Sequence, residues 1–431
     1  HLLAYVSNIA ASQPDRIIEK RGPRVDAPEA AIAGFLKSAG VSREELVEED
    51  TPKGRFLFAR SEITGGDTAA LLAPMIVDIL NHFPWPKSQR WGRGKFRWVR
   101  PLHRIHLFFD GNPLAGALDL GGGDAITFGT ASCGHYFEAP DDIDLAGVTS
   151  LDDVKSRLRA GYVMLDQDER HDAIISEAKK LAASQLCHLN EAQLGSYLAD
   201  IAGLVEWPTP LMGQIEDRFM VLPPELLQAT IATHQKYITL SDADGKFSSH
   251  FIVLSNRLAD AARDKVIIAG NQRVLRSRLA DAEFFWQQDQ VRQLESYLPA
   301  LGDVSFYEGL GSIHDKAIRM ETLASAIAPH MPSANLKAAS RAARLAKADL
   351  VTGMVGEFPE LQGIIGGYYA AASGDDKAVC DAITAHYRPQ GPADDLPATP
   401  EAMVVALADK IDTLVGFFGI DAKPTGSKDP F

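Results

Sequence analysis

The sequence predicts an α+β fold followed by an all-helical C-terminal region. Two observations carry this. Up to about residue 289, β-type runs bounded by Asp-Gly and Pro turns alternate with amphipathic stretches. Beyond about Gln290 strand signals fade and Ala- and Leu-rich helical periodicity takes over, as in Ile313 to Ile327 and Leu336 to Val355. A chain of 431 residues is longer than one hydrophobic core serves, so several domains of roughly 100 to 200 residues each are expected. They divide as an N-terminal segment 1–63, an α+β core 64–289 and a helical domain 290–431.

Taken in order, Leu2 to Val6 reads as a short strand. Pro28 to Ala39 reads as a helix with Pro28 in its first turn and Gly40 as its stop. A second helix runs from about Asp67 to Phe83, with Pro74 inside it. One hairpin is predicted from His106–Phe109 and Leu114–Leu118 around Asp110-Gly111-Asn112-Pro113. A better marked one comes from Tyr237–Leu240 and His250–Leu254 around an Asp244-Gly245 turn. Between them Gly203 to Pro208 reads as a strand ending at proline, and Pro223 opens a helix through His234.

Composition excludes several classes. With 46% hydrophobic and 23% charged residues the chain lies in the ordinary globular range of about 45–50% and about 25%. No run approaches the roughly 18 consecutive apolar residues of a membrane helix. Cys133, Cys187 and Cys380 are too few and too scattered for a disulfide framework or a zinc site, which suits a cytoplasmic protein. His1 at the start and turn-forming residues at the end read as cuts through a longer protein.

The formal net charge is −14, yet from Lys87 to Arg104 every ionised side chain is basic. Lys87, Arg90, Arg93, Lys95, Arg97, Arg100 and Arg104 are interleaved with Trp91, Phe96 and Trp98, the residue types that pair with phosphates and stack on exposed bases. The plainer reading makes the tryptophans core residues and gives the arginines acidic neighbours. A second cluster, Arg273, Arg276 and Arg278, falls in a predicted helix where Arg273 and Arg276 share a face. It reads either as a phosphate contact or as an intramolecular network with acids such as Asp281. No phosphate loop of the form G-x-x-x-x-G-K-[ST], no G-x-S-x-G elbow and no H-E-x-x-H zinc helix is present, and Gly121-Gly122-Gly123 reads as a turn.

Several blocks in order resemble the β subunit of the bacterial two-subunit glycyl-tRNA synthetase. They are Pro86 to Gly92, Phe96 to Pro101, Gly203 to Pro208, His234 to Tyr237, Gly270 to Phe285, Lys347 to Thr352, Gly356 to Gly363, Leu407 to Gly416 and Pro424 to Phe431. The resemblance implies a β subunit lacking its first segment and everything after Phe431, including an anticodon-binding domain. It implies partnership with an α subunit as α2β2 and with tRNA(Gly), and neither a membrane nor a DNA partner. Glycine, ATP and Mg would be used by the α subunit, so no catalytic residue and no cofactor are expected in this chain, which alone would be inactive.

The same resemblance likens the α+β region to the editing-type domain of the phenylalanyl-tRNA synthetase β subunit. There His234 lacks the companions a deacylase needs, and a structural histidine is the simpler reading. It likens the C-terminal helices to an HD-type domain whose metal positions are degenerate: His314, Asp349, His386 and Asp409. Lys347-Ala348-Asp349 stands where a His-Asp pair would be. Alanine offers no lone pair and a protonated Lys347 repels a metal, so none is expected. Asp349 would instead be neutralised by a lysine such as Lys410. The rival function is a metal-dependent HD phosphohydrolase, and a third reading is a purely structural partner of α.

Overall fold

The computed structural model describes residues 2–52, 54–195 and 197–422. The block Pro424 to Phe431 lies outside them. The chain is a mixed α+β protein with a helical C-terminal region, and it divides into two compact units, 1–166 and 167–431.

The first unit begins with a three-stranded antiparallel sheet, order β1-β3-β2. It is built from β1 (Arg16–Arg24), β2 (Leu46–Thr51) and β3 (Gly54–Ile63), with helix α1 (Glu29–Ala39) between β1 and β2 in sequence. The Phe35 ring of α1 lies on Gly22 of β1 so closely that a Cβ there would sit 2.4 Å from it, which is why a side chain is missing at that point. Helix α2 (Thr68–Asn81) is capped by Asp67, whose carboxylate accepts from the Ala69 amide. Short antiparallel pairs follow: β4 (Phe108–Phe109) with β5 (Asn112–Pro113), β6 (Ala117–Gly121) with β7 (Asp124–Thr127), and β8 (Ala131–Cys133) with β9 (Asp142–Asp144). Helix α3 (Leu151–Ala160), capped by Ser150, closes the unit.

The second unit runs α4 (Gln167–Ser184), β10 (His188–Leu189), α5 (Glu191–Gly195), α6 (Leu198–Gly203), β11 (Thr209–Gln214) and α7 (Pro224–Gln228). A π-helical turn, Ala229–His234, precedes β12 (Ile238–Ser241), β13 (Phe247–Ser255) and the long α8 (Ala261–Asp289). The sheet, order β10-β12-β13-β11, is antiparallel. Strand alternation sends Ile238, Leu240 and Ile252 into one core with Ile174, Ala178 and Ile201. Leu211, Phe251 and Val253 enter a second core with Leu226 and Leu227. That second core continues through Leu275, Leu279 and Ala282 of α8 into the C-terminal helices.

Those helices are α9 (Ile313–Ile327), α10 (Leu336–Leu345), α11 (Gly353–Glu357), α12 (Ile364–Ala372), α13 (Lys377–Ala385) and α14 (Pro400–Gly419), after the short pair β14 (Ser305–Tyr307) and β15 (Gly311–Ser312). Ala338, Ala339, Ala342 and Ala343 give α10 a small-residue face that is buried against its neighbours. Among the described residues no helix is long and apolar enough to cross a membrane.

Several local expectations are corrected. Leu2 to Val6 forms no strand and is exposed. Gly203 ends α6 and the strand begins only at Thr209, after Pro208 has removed a ladder donor. The Asp110-Gly111 turn closes on Phe109 and Asn112, with both central residues at positive φ, and the pairing with His106–Phe109 extends to Leu114, whose amide donates to Leu107 O at 2.8 Å, but not through Leu118. Leu118 instead pairs with Ile126 around the Gly122-Gly123 turn, as the glycine run suggested for that turn. The helix from Pro223 changes to a π-helical turn at Ala229, and the one from Leu336 stops at Leu345.

Candidate functional site

The basic stretch folds back on itself around Trp98. Gln89 and Trp98 exchange backbone hydrogen bonds of 2.9 and 3.2 Å, and Trp98, only 5% exposed, is ringed by Phe83, Trp85 and Phe96 at centroid distances of 5.2, 5.0 and 5.9 Å. Trp91 is half-buried, edge-on to Phe96. The indoles therefore form the small core that holds this segment together, and the cations are left outside. Lys87, Arg90, Arg93, Lys95, Arg97 and Arg100 are all exposed.

Their partners separate them into two kinds. Arg97 is tied down, its Nε donating to Ser88 Oγ and its Nη2 to Ser88 O, both at 3.1 Å. Arg104 donates to the carbonyls of Ala131 and Ser132 and pairs with Asp142 at 2.7 Å, so it fastens the stretch to the β8–β9 hairpin. Lys87, Arg90, Arg93, Lys95 and Arg100 form no ion pair among the described residues, in a chain with fourteen more acids than bases. Between them, the Lys95 and Phe96 amides donate to Leu120 O, and Gly94 passes where a Cβ would lie 2.6 Å from that oxygen. The result is an uncompensated cationic strip laid along the β6–β9 segment.

In the second cluster, Arg276 pairs with Glu216, which also pairs with Arg218. Arg273 and Arg278 are exposed on α8 with no such partner among the described residues. The shared face of Arg273 and Arg276 is thus half neutralised within the unit. His234 Nε2 donates to Glu360 Oε1 at 2.8 Å, and its ring stacks on Phe358 with the planes 7° from parallel. It stands as a packed surface histidine.

The four degenerate HD positions do not converge on one point. His386 and Asp409 meet, but through a lysine: Lys347 Nζ donates to His386 Nε2 at 2.9 Å and to Asp409 Oδ2 at 3.1 Å, and lies 3.7 Å from the centre of the Tyr387 ring. His386 Nδ1 lies 2.6 Å from Ile383 O and so carries the proton, which leaves Nε2 as acceptor. On the far side Lys316 pairs with Asp409 at 3.0 Å and with Asp412 at 3.3 Å, and Arg319 closes on Asp412 at 2.5 Å. Asp349 is met by the amides of Gly363 and Gly366 at 2.5 and 3.0 Å, while Lys410, the lysine expected there, donates to the carbonyls of Tyr387 and Arg388. His314 sits half-buried in the first turn of α9 and joins none of these contacts.

Burial sets the ionisation of this cluster. It pushes Lys347 down to about 8 in spite of Asp409, lifts Asp349 to about 6, and, with the Lys347 charge, lowers His386 to about 3. Burial would raise Asp409 too, but Lys347 and Lys316 outweigh it and hold that carboxyl below the usual range. An ammonium thus occupies the space between His386 and Asp409, and among the described residues no group of His, Cys, Asp and Glu is arranged to hold a metal.

Comparison with known proteins places these features in the aminoacyl-tRNA synthetase class. The family model of the glycyl-tRNA synthetase beta subunit matches residues 1–431, and the chain belongs to that family. It is 45% identical to the glycine–tRNA ligase beta subunit of Rhodospirillum centenum over 99% of this chain and 62% of that one. The Phenylobacterium zucineum beta subunit is 45% identical over 100% and 63%, and that of Paracoccus denitrificans 44% over 99% and 62%. The chain therefore spans less than two thirds of the length of these relatives.

Proposed function

We propose that this chain is the tRNA-binding and assembly part of a cytoplasmic glycyl-tRNA synthetase. It works with an α subunit as α2β2, and the α subunit binds glycine, ATP and Mg and makes the glycyl ester of tRNA(Gly). The observation that carries the tRNA role is the strip of five exposed cations without acidic partners among the described residues, in a chain whose overall charge is −14. A surplus of acids repels polyanions in general, so RNA is met where the sign reverses and the backbone is pinned. The α+β region is read as editing-domain-like without deacylase machinery, and the C-terminal helices as an HD-like scaffold. The Lys347 ammonium between His386 and Asp409 supports the latter reading over a phosphohydrolase, because a fixed cation there opposes a divalent one.

The test is a salt titration of glycine tRNA binding by the full chain, with and without the α subunit. Replacing Lys87, Arg90 and Arg93 together by Ala is expected to weaken binding and to reduce the slope of log K against log salt by roughly two to three, since each phosphate no longer neutralised removes a counterion-release contribution of about 0.7–0.9. Arg97 is left in place because it holds Ser88. An unchanged slope in a folded variant removes the strip from the RNA interface.

A further inference from the structure

The strip ends at a feature that neither charge nor family assigns. Arg104 clamps the β8–β9 hairpin, and the tip of that hairpin displays Tyr136 and Phe137, 79% and 60% exposed, in an edge-to-face pair with centroids 4.8 Å apart. Exposed aromatics on loops are usually mobile. This pair is held from beneath: His135 is fully buried, and its Nδ1 accepts from the amides of Phe137 and Glu138 at 3.3 and 3.2 Å. The His135 amide donates to Gly161 O at 2.8 Å, and the Ala139 amide returns to His135 O at 2.9 Å. Gly134 passes so close to Ala139 O that a Cβ would lie 2.5 Å from it. The backbone that carries both rings is therefore held in place, which lowers the ordering cost of whatever packs on them.

We infer that the Tyr136–Phe137 tip stacks an unpaired nucleotide of the RNA whose phosphates lie on the cationic strip. The inference rests on the tRNA-binding reading and adds a second kind of contact to it. The two tryptophans of the strip cannot serve this way, since Trp98 is buried and Trp91 is packed edge-on to Phe96. Every base has a π-face, so an aromatic tip at the end of a phosphate track receives a splayed base without reading its identity. Asp142, the carboxylate beside the clamp, is neutralised by Arg104.

Binding of intact glycine tRNA to the full chain tests this. Tyr136→Ala with Phe137→Ala is expected to weaken binding roughly tenfold or more, the effect typical of removing a stacking platform, with the salt slope unchanged because every cation is kept. Exchanging the aromatics, Tyr136→Phe with Phe137→Tyr, is expected to keep the affinity. Tyr136→Trp supplies a reporter whose emission must change when tRNA is added, and it serves even if the double alanine variant misfolds. Unchanged affinity in the folded double variant, or an unresponsive Trp, overturns the stacking role while leaving the strip intact. Loss of α-subunit association with tRNA binding retained overturns it in favour of a protein-docking tip. Failure of the unsubstituted chain to bind tRNA at all sinks the RNA reading first.

Discussion

Lys347 shows how a single side chain changes what a cluster of ligand-type groups can do. Its three polar hydrogens are directed at an imidazole nitrogen, a carboxylate oxygen and an aromatic face, so His386 and Asp409 are consumed by a resident cation. The pH dependence follows from opposing shifts. His386 has its folded pKa depressed from 6.5 to about 3, so its contribution to stability is complete above 6.5 and is lost as pH falls towards 3. Asp349 has its folded pKa raised from 3.8 to about 6, so its contribution is complete below 3.8 and is lost as pH rises through 6. Between pH 4 and 6 the two slopes cancel. His386→Gln removes one of them, and the stability of the variant relative to the parent should therefore rise on acidification from pH 6 to 4, by about 1.4 kcal/mol per pH unit at most. Urea midpoints at the two pH values measure it, and a constant difference between the two proteins would show that His386 binds its proton equally well in the folded and unfolded chain. Residue types around this cluster were legible in the sequence, and so was the obstacle Lys347 poses. The pairings were not, because Lys347, His386 and Asp409 meet only once α13 and α14 have packed. The same holds for Arg97 and Arg104, whose identity as cations is plain but whose partners Ser88 and Asp142 are set by the fold. Tyr136 and Phe137 left one readable sign: two aromatics inside a turn-rich Gly134-to-Pro140 loop, where burial is hard to arrange.

Elements with strong local signals appear where the sequence places them. Gly40 adopts the left-handed conformation that stops α1, Asp67 caps α2, and Asp242 to Lys246 link β12 and β13. The N-terminal sheet was missed because β1 and β2 carry a charge at almost every second position, as in Glu48-Glu49-Asp50. A half-exposed sheet tolerates such residues when cross-strand pairs form, here Arg60 with Glu19 and Glu49 and Arg55 with Glu48. Gly203 to Pro208 misled in the opposite way, since Leu204 is the exposed C-cap of α6 and Val205 alone of its aliphatic residues is buried. One element junction carries more weight than its length suggests. Asp289, the last residue of α8, accepts from the amides of Gly353 and Met354 at 3.0 and 2.8 Å and from the Tyr369 hydroxyl at 3.1 Å, so one buried carboxylate caps α11 and joins α8 to α12. Asp289→Ala leaves two amides and a phenol without acceptors and should cost about 2–4 kcal/mol, with Asp289→Asn recovering part of it. Chemical denaturation of both variants decides this, and a loss below about 0.5 kcal/mol in Asp289→Ala would mean that water replaces the carboxylate.

At the scale of the whole molecule, charge and core are organised differently. Charge is segregated along the chain: the net charge is −14, yet seven cations and no acid stand within the eighteen positions from Lys87 to Arg104, which the sequence displays openly. The core is not segregated where the sequence suggests. The change from mixed to helical patterning near residue 290 is real, and α8 ends at Asp289, yet Leu211, Phe251, Leu275 and Leu279 belong to the same buried cluster as Met320, Ala339, Ile365 and Val405. Periodicity reports the type of each element and is silent on whether consecutive elements share a core. Since cooperativity follows shared burial, residues 167–422 should unfold in one transition, with sheet and helices melting together. Residues 290–422 alone would expose the face that α8 covers, and are expected to keep helical far-ultraviolet dichroism while losing near-ultraviolet signal and a sharp denaturation midpoint. Urea unfolding of the two fragments followed by both signals separates the cases. If the shorter fragment melted sharply at the midpoint of the longer one, the boundary at residue 290 would divide folding units as well as patterns.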